Sequence, residues 1–247
     1  MPIYVGTAGW TIPRAAAGRF NSAGTHLERY ARVLSCAEIN SSFYRPHKPA
    51  TYAKWAASTV SDFRFSVKVP KLITHELKLR RPRAPFERFL IEARGLGDRL
   101  GPLLVQLPPS LDFNPRIATS FFAMVREHHD GALVIEPRHA TWFTARANAL
   151  LEKHLIARVA ADPAVTPDAA VPGGWPGIAY FRLHGSPRMY WSRYELSYIE
   201  QLANTLVERA QSAHVWCVFD NTAMGTAIEN ALELQRRLAN ASVTAAC

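Results

Sequence analysis

Apolar residues along this chain follow two alternating rhythms. Short runs rich in aliphatic and β-branched residues occur at Ile3–Val5, Ala37–Asn40, Arg64–Val69, Leu103–Leu107, Leu133–Glu136, Ala157–Ala161, Ala179–Leu183 and Val215–Phe219, and they predict strands. Between them, His26–Leu34, Pro85–Leu96, Ile117–Glu127, Thr144–Lys153, Leu196–Ala210 and Ala227–Ala239 space apolar residues three and four apart, as one buried helix face requires. Strand and helix alternating to the end predict parallel strands joined by right-handed crossovers, because each helix must return the chain to the same edge of the sheet. Eight such strands can close on themselves and leave no edge. The expectation is a single-domain α/β fold over residues 1–247, a parallel eight-stranded (β/α)8 barrel of TIM type. An open dinucleotide-binding sheet is disfavoured, since the first turn, Gly6-Thr7-Ala8-Gly9-Trp10, lacks the full glycine fingerprint. The stretch Pro163–Pro176, rich in Pro, Ala and Gly, predicts a long loop over the barrel mouth.

A barrel interior is packed with side chains, so a charged residue ending an apolar strand needs a partner or a function. Nearly every run here ends on one. Strand two ends in Glu38-Ile39-Asn40 and continues Ser41-Ser42-Phe43-Tyr44-Arg45, strand three reaches Lys68, and strand four reaches Gln106. Strand five ends Glu136-Pro137-Arg138-His139, strand six at Asp162, strand seven runs Arg182-Leu183-His184-Gly185, and strand eight closes with Asp220-Asn221-Thr222. Residues two apart point to one side of a strand, so Glu38 with Asn40, Glu136 with Arg138 and Arg182 with His184 are predicted to aim the same way.

These segments carry a resemblance. VGTAGW at 5–10, EINSSFYR at 38–45, FSVKVPKLITHELKL at 65–79, LGPLLVQLPPS at 100–110, IEPRHATWF at 135–143, FRLHG at 181–185 and FDNTAMGTAIENALEL at 219–234 together resemble the YecE-like family, also called domain of unknown function 72. The resemblance implies a barrel related in architecture to metal-dependent sugar isomerase and endonuclease barrels, with a site at the mouth and no agreed reaction. Carried over by motif, the implied site positions are Trp10, Glu38, Asn40, Phe43, Tyr44, Lys68, Thr74, His75, Gln106, Glu136, Arg138, His139, Trp142, Asp162, Arg182, His184 and Asn221. The chain departs from the family pattern in the loop Thr11–Phe20, which lacks an aromatic stretch, and at Pro137, Ser186 and Asp220, where an Asn is common.

Glu136, His139 and His184 are the candidate catalytic residues. A carboxylate beside a guanidinium stays ionised, while histidine trades protons near neutrality. The competing reading is an ion-pair network that braces the mouth. Lys68, Arg138 and Arg182 are candidates to hold an anion, or else they neutralise Glu38, Glu136 and Asp162. Glu38, Glu136, Asp162, His75, His139 and His184 form a candidate divalent-metal set without any tight motif, against the alternative of hydrogen-bonded core histidines. Glycoside hydrolysis would need two carboxyls facing each other across the mouth, and their basic neighbours argue against a general acid. Trp10, Phe43, Tyr44 and Trp142 offer stacking surfaces, or lids over the core.

Composition adds a sign to these readings. The net charge of +9 favours phosphate-rich or otherwise anionic partners, and Arg80-Arg81-Pro82-Arg83 is the best local basic cluster for a nucleic-acid backbone. The favoured expectation is an enzyme acting on a small phosphorylated or carboxylated ligand, its reaction open among hydrolysis, elimination and isomerisation. The alternatives are a nucleic-acid-binding or processing barrel and a non-catalytic ligand-binding protein. Cys36, Cys217 and Cys247 lack Cys-x-x-Cys spacing and are expected to be reduced, inert thiols. With neither a basic leader before an apolar run nor ~20 continuous apolar residues, the chain is expected to be soluble, cytoplasmic and not membrane-bound.

Overall fold

The computed structural model describes residues 1–244, with side chains to residue 240; Cys247 lies outside the described residues. Ten strands form one sheet: β1 (Ile3–Ala8), β2 (Cys36–Ile39), β3 (Arg64–Lys68), β4 (Leu100–Gln106), β5 (Leu133–Glu136), β6 (Ala157–Arg158), β7 (Ala160–Asp162), β8 (Gly173–Gly174), β9 (Ile178–Leu183) and β10 (His214–Phe219). Their spatial order is β7-β9-β10-β1-β2-β3-β4-β5-β6-β8, and all neighbours are parallel except β6 and β8. The result is a single α/β domain around a nearly closed, barrel-like sheet, not the uniform parallel eight-stranded sheet expected. The difference lies in the sixth run. Its first half pairs with β5 and its second half with β9, and Val159 alone separates them, so one interrupted strand joins the two ends of the sheet.

The helices are α1 (His26–Ala31), α2 (Ser41–Tyr44), α3 (Pro49–Ala57), α4 (Arg83–Ala93), α5 (Pro115–His128), α6 (Ala145–Lys153), α7 (Leu196–Arg209) and α8 (Thr226–Thr244). Local chemistry sets their starts. Thr25 and Glu28 form a reciprocal capping box on α1, and the Asn114 side chain accepts from two backbone amides at the start of α5, with Pro115 as its first residue. The helix α3 has a Pro at its start and Tyr52 as its buried residue; its weak apolar stripe left it unread in the sequence. No helix links β7 to β9. There the expected mouth loop instead descends the flank, through a short 3-10 turn at Pro167–Ala170, until Gly173 and Gly174 pair antiparallel with β6 and the Trp175 amide reaches Ile156.

Strand alternation divides the core into two. Val5, Ile39, Phe65, Val67, Leu103, Val105, Ile135 and Phe219 pack outward against the helices. Inside the barrel lie Cys36, Leu104, Val134, Val159, Tyr180, Trp216 and Val218, with Tyr180 stacked on Trp216 at 6.0 Å and Tyr4 tilted against it at 4.6 Å. These rings plug the amino-terminal half of the interior. Cys36 and Cys217 are free and buried, and burial pushes both thiols up, away from the reactive thiolate. No described helix is long and apolar enough to cross a membrane.

Candidate functional site

Above the aromatic plug the interior becomes polar. Glu38 and Ser66 form the lower tier, and Tyr180 donates its hydroxyl toward Glu38 Oε2 and Ser66 Oγ, both at 3.0 Å. Arg182 stands over them, two residues beyond Tyr180 on the same strand face. Its Nε lies 3.0 and 3.1 Å from the two Glu38 oxygens and its Nη2 lies 2.6 Å from Glu38 Oε1. The same guanidinium reaches Glu136 Oε2 at 3.1 Å and Asp220 Oδ2 at 2.9 Å. One buried guanidinium therefore serves three buried carboxylates. A cation of delocalised charge and fixed fork geometry is suited to that task.

The upper tier holds His184. Its Nδ1 is 3.1 Å from Asp220 Oδ2, while its Nε2 is 3.0 Å from Glu136 Oε1 and 2.5 Å from Arg138 Nη2. Arg138 also pairs with Glu136. His184 thus meets a carboxylate at each ring nitrogen, and these two contacts fix the orientation of the ring. Tyr190 covers the imidazole edge-on at 5.7 Å. The chain returns over the mouth there because Gly185 adopts φ +94°, where a side chain would meet the Ser192 carbonyl and Asn221.

Lys68 completes the ring and differs from the other cations. It is only 7% exposed, yet among the described residues it makes no ion pair, and its ammonium lies 4.2 Å over the Phe43 ring. Burial, reinforced by the nearby Arg182 charge, lowers its pKa to about 8 despite the pull of Glu38, Glu136 and Asp220. Burial on its own would raise Glu136, but Arg182, then Arg138 and His184, outweigh it and hold that carboxyl well below its usual range. Asp220 is likewise held down, against burial, by Arg182 and His184.

These directions imply a pH dependence. A carboxyl whose folded pKa is depressed stabilises the fold above its unfolded pKa of roughly 4.3, and that stability is lost as pH falls further. The variant Glu136→Gln is expected to lose about 2 kcal/mol at pH 7 by leaving Arg138 and Arg182 less compensated. Its stability should then decline less steeply than that of the wild type between pH 5 and pH 3, as urea midpoints will show.

The remaining predicted residues sit at different depths. Asn40 and Gln106 are partly buried, and Asn40 Oδ1 has no hydrogen-bond partner among the described residues. Asn221 donates to the Ser192 carbonyl and to Asn230, both at 2.9 Å. His75 bonds Thr74 at 2.8 Å and meets the Phe43 ring edge-on, while Tyr44 is 77% exposed beside Phe43. Trp10 packs edge-on against Trp55 and Phe65.

Three predicted residues stand apart from the ring. Asp162 accepts from the Tyr194 hydroxyl at 2.6 Å, because Val159 faces the interior and residues of even number on that run face out. His139 follows Arg138 by one and so turns away, accepting from the Thr141 amide to cap the short helix Ala140–Trp142. Trp142 is buried in the outer core, donating to the Leu111 carbonyl at 2.9 Å and packing on Phe113. The metal set accordingly does not converge. His75, His139 and Asp162 face separate partners, Glu38 and Glu136 converge on the Arg182 guanidinium, and no group of three candidate ligands could hold an ion among the described residues. The residues present do not fit a bound divalent cation.

Asp220, Tyr180, Ser66 and Tyr190 belong to the site and were not selected from the sequence. Alternation back from Asp220 through Val218 to Trp216 is the signal that identifies the first of them.

Comparison with known proteins agrees with this architecture. A family model described as "Protein of unknown function DUF72" matches residues 4–246. The UPF0759 protein YecE of Escherichia coli K12 is 35% identical over 114 residues, which span 46% of this chain and 40% of that protein. YecE of Escherichia coli O157:H7 matches to the same extent, so the matched segment covers well under half the length of either relative. Among solved structures, a DUF72 family protein from Enterococcus faecalis V583 superposes with a TM-score of 0.81 at 22% identity, covering 96% of both chains. One from Thermotoga maritima MSB8 gives 0.80 at 24% identity, over 97% of this chain and 100% of that one. At these identities the structural likeness speaks for the fold alone. With a family model spanning nearly its whole length, the chain belongs to the DUF72 family.

Proposed function

We propose that the protein works as a (β/α)8-type barrel with an interrupted sixth strand, and that its mouth binds a small anionic ligand, carboxylated or phosphorylated, for acid–base chemistry at His184. The observation that carries this reading is the division of labour among the cations. Arg182 is saturated by Glu38, Glu136 and Asp220, whereas Lys68 makes no ion pair among the described residues and Arg138 retains a buried Nε without a partner. With Arg182, these two cations balance the three carboxylates in formal charge, and what they offer a ligand is the Lys68 ammonium and the unused face of Arg138, whose Nη2 is already held by Glu136. Apart from the partly buried Arg138, the ring residues are no more than 7% exposed, and Tyr190 roofs His184, so the ligand is small. Asp220 and Glu136 each hold one ring nitrogen of His184 and orient the imidazole for proton exchange, and Glu136 also holds Arg138 in place.

The test is calorimetric titration with oxalate and with inorganic phosphate. Saturable one-site binding to the wild type is expected, weakened at least tenfold in both Lys68→Met and Arg138→Gln. Binding unchanged in both variants, or none at all, would remove the reading. The nucleic-acid alternative rests on Arg80–Arg83, where Arg83 is already paired with Glu127 at 2.6 Å on the surface. Tight single-stranded DNA binding with a steep fall across a salt series would favour it instead.

A further inference from the structure

The ring contains one amine that neither the ion-pair network nor the fold requires. Buried lysines are rare and are normally paired. Lys68 ends β3 at the carboxyl-end mouth and is enclosed to 7% exposure, and among the described residues its ammonium has only the face of Phe43 as a direct partner. The charged groups that act on it come from every wall of the mouth: Arg182 on β9, Glu38 on β2, Glu136 on β5, Asp220 beyond β10, and His75 in the loop that follows β3. A desolvated lysine of this kind is nucleophilic at pH values where a surface lysine is still an ammonium.

Building on the anionic-ligand reading, we propose that Lys68 is a carbonyl-reactive lysine, whose amine condenses with the aldehyde or ketone carbon of a small anionic substrate to give a protonated imine. The step balances without a co-reactant. The Lys68 nitrogen forms a bond to the carbonyl carbon, and the carbon–oxygen bond breaks. Two of the three ammonium hydrogens leave with that oxygen as water, and the third stays on the iminium nitrogen. Arg138 holds the carboxylate or phosphate of the substrate. His184, oriented by Asp220 at 3.1 Å, stands in the same mouth to take a proton from the carbon next to the imine, which is the step an iminium makes easier. The substrate class is thus a 2-oxo acid or a ketose phosphate, and the chemistry is proton abstraction or carbon–carbon cleavage beside the imine.

The test is borohydride trapping followed by peptide mass analysis of the full chain, with pyruvate in one arm and dihydroxyacetone phosphate in the other. A single reduced adduct on Lys68 is expected in at least one arm, its yield rising as the pH passes about 8. It should vanish in Lys68→Arg, which keeps the charge, and persist in Lys71→Met, which removes an exposed neighbouring lysine. The arm that labels identifies the anionic group. No adduct on Lys68 in either arm, or label spread over surface lysines with Lys68 no faster than the rest, overturns the proposal. If oxalate still binds in that case, the anionic-ligand reading stands without the covalent step; if oxalate also fails, both fall.

Discussion

Replacing Arg182 by methionine will destabilise the protein by on the order of 4 kcal/mol at pH 7, the largest effect expected of any single substitution in the mouth. The reason is the number of charges it leaves behind. Glu38, Glu136 and Asp220 all have oxygens within 3.1 Å of this one guanidinium, and all three carboxylates are buried. Arg138 keeps Glu136 partly compensated and His184 keeps contact with Asp220, but Glu38 retains only the hydroxyl of Tyr180. Breaking a buried ion cluster on one side exposes the full desolvation cost of the other. Because those carboxylates then resist ionisation, the deficit relative to wild type should narrow as pH falls and they take up protons. Urea unfolding at pH 7 and pH 4 measures both. A loss under about 1 kcal/mol at pH 7, the range of an exposed ion pair, would show that the cluster is solvated.

Replacing Lys68 by methionine should have the opposite sign. The folded pKa of Lys68 is lowered from its ordinary 10.5 to about 8, with burial as the main cause. A base whose folded pKa is depressed penalises folding wherever it must be charged in both states, so the penalty is fully present below pH 8. It is relieved as pH rises from 8 toward 10.5, where the unfolded chain binds more protons than the folded one. The shift corresponds to a penalty on the order of 3 kcal/mol, which the isosteric apolar side chain avoids. The variant is therefore expected to melt above the wild type at pH 7, with the difference disappearing near pH 10. A variant less stable than wild type at pH 7 would mean that Lys68 is a structural counter-ion. The two substitutions separate a cation the fold needs from one that it tolerates, and residues kept at a cost to stability belong to function.

Much of this site was legible in the sequence because strand alternation is rigid. Once Glu38, Glu136 and Arg182 are placed on their strands, the period of two carries Arg138 and His184 to the same side, and the interior joins these five residues from three strands in one ring beside Lys68. The same rule identifies Asp220, two positions beyond Val218, at the close of the eighth predicted strand where an asparagine is common in the family. Errors arose where parity was misjudged or no period existed. Asp162 looks like a strand end equivalent to Glu136, but the alternation runs unbroken through Ala157 and Val159, both inward, and so turns Asp162 outward to Tyr194. His139 fails by one position in the same way. Trp142, in a turn with no period at all, is buried by the bulk of Phe113 and Phe122 around it. The ten-strand count could not be read from composition, since a two-residue pairing such as β6 with β8 depends on where a loop returns in space.

The central claim is that Lys68 and Arg138 keep donors free to hold an anion at the mouth while Arg182 is committed to Glu38, Glu136 and Asp220. Selenate is a small dianion whose anomalous scattering marks its position directly, so a crystal soaked in it at low ionic strength gives the most direct measurement. An anomalous peak is predicted within hydrogen-bond distance of Lys68 Nζ and the Arg138 guanidinium, lost in Lys68→Met crystals. Peaks confined to the surface residues Arg80, Arg81 and Arg83, with none in the mouth, would contradict the account.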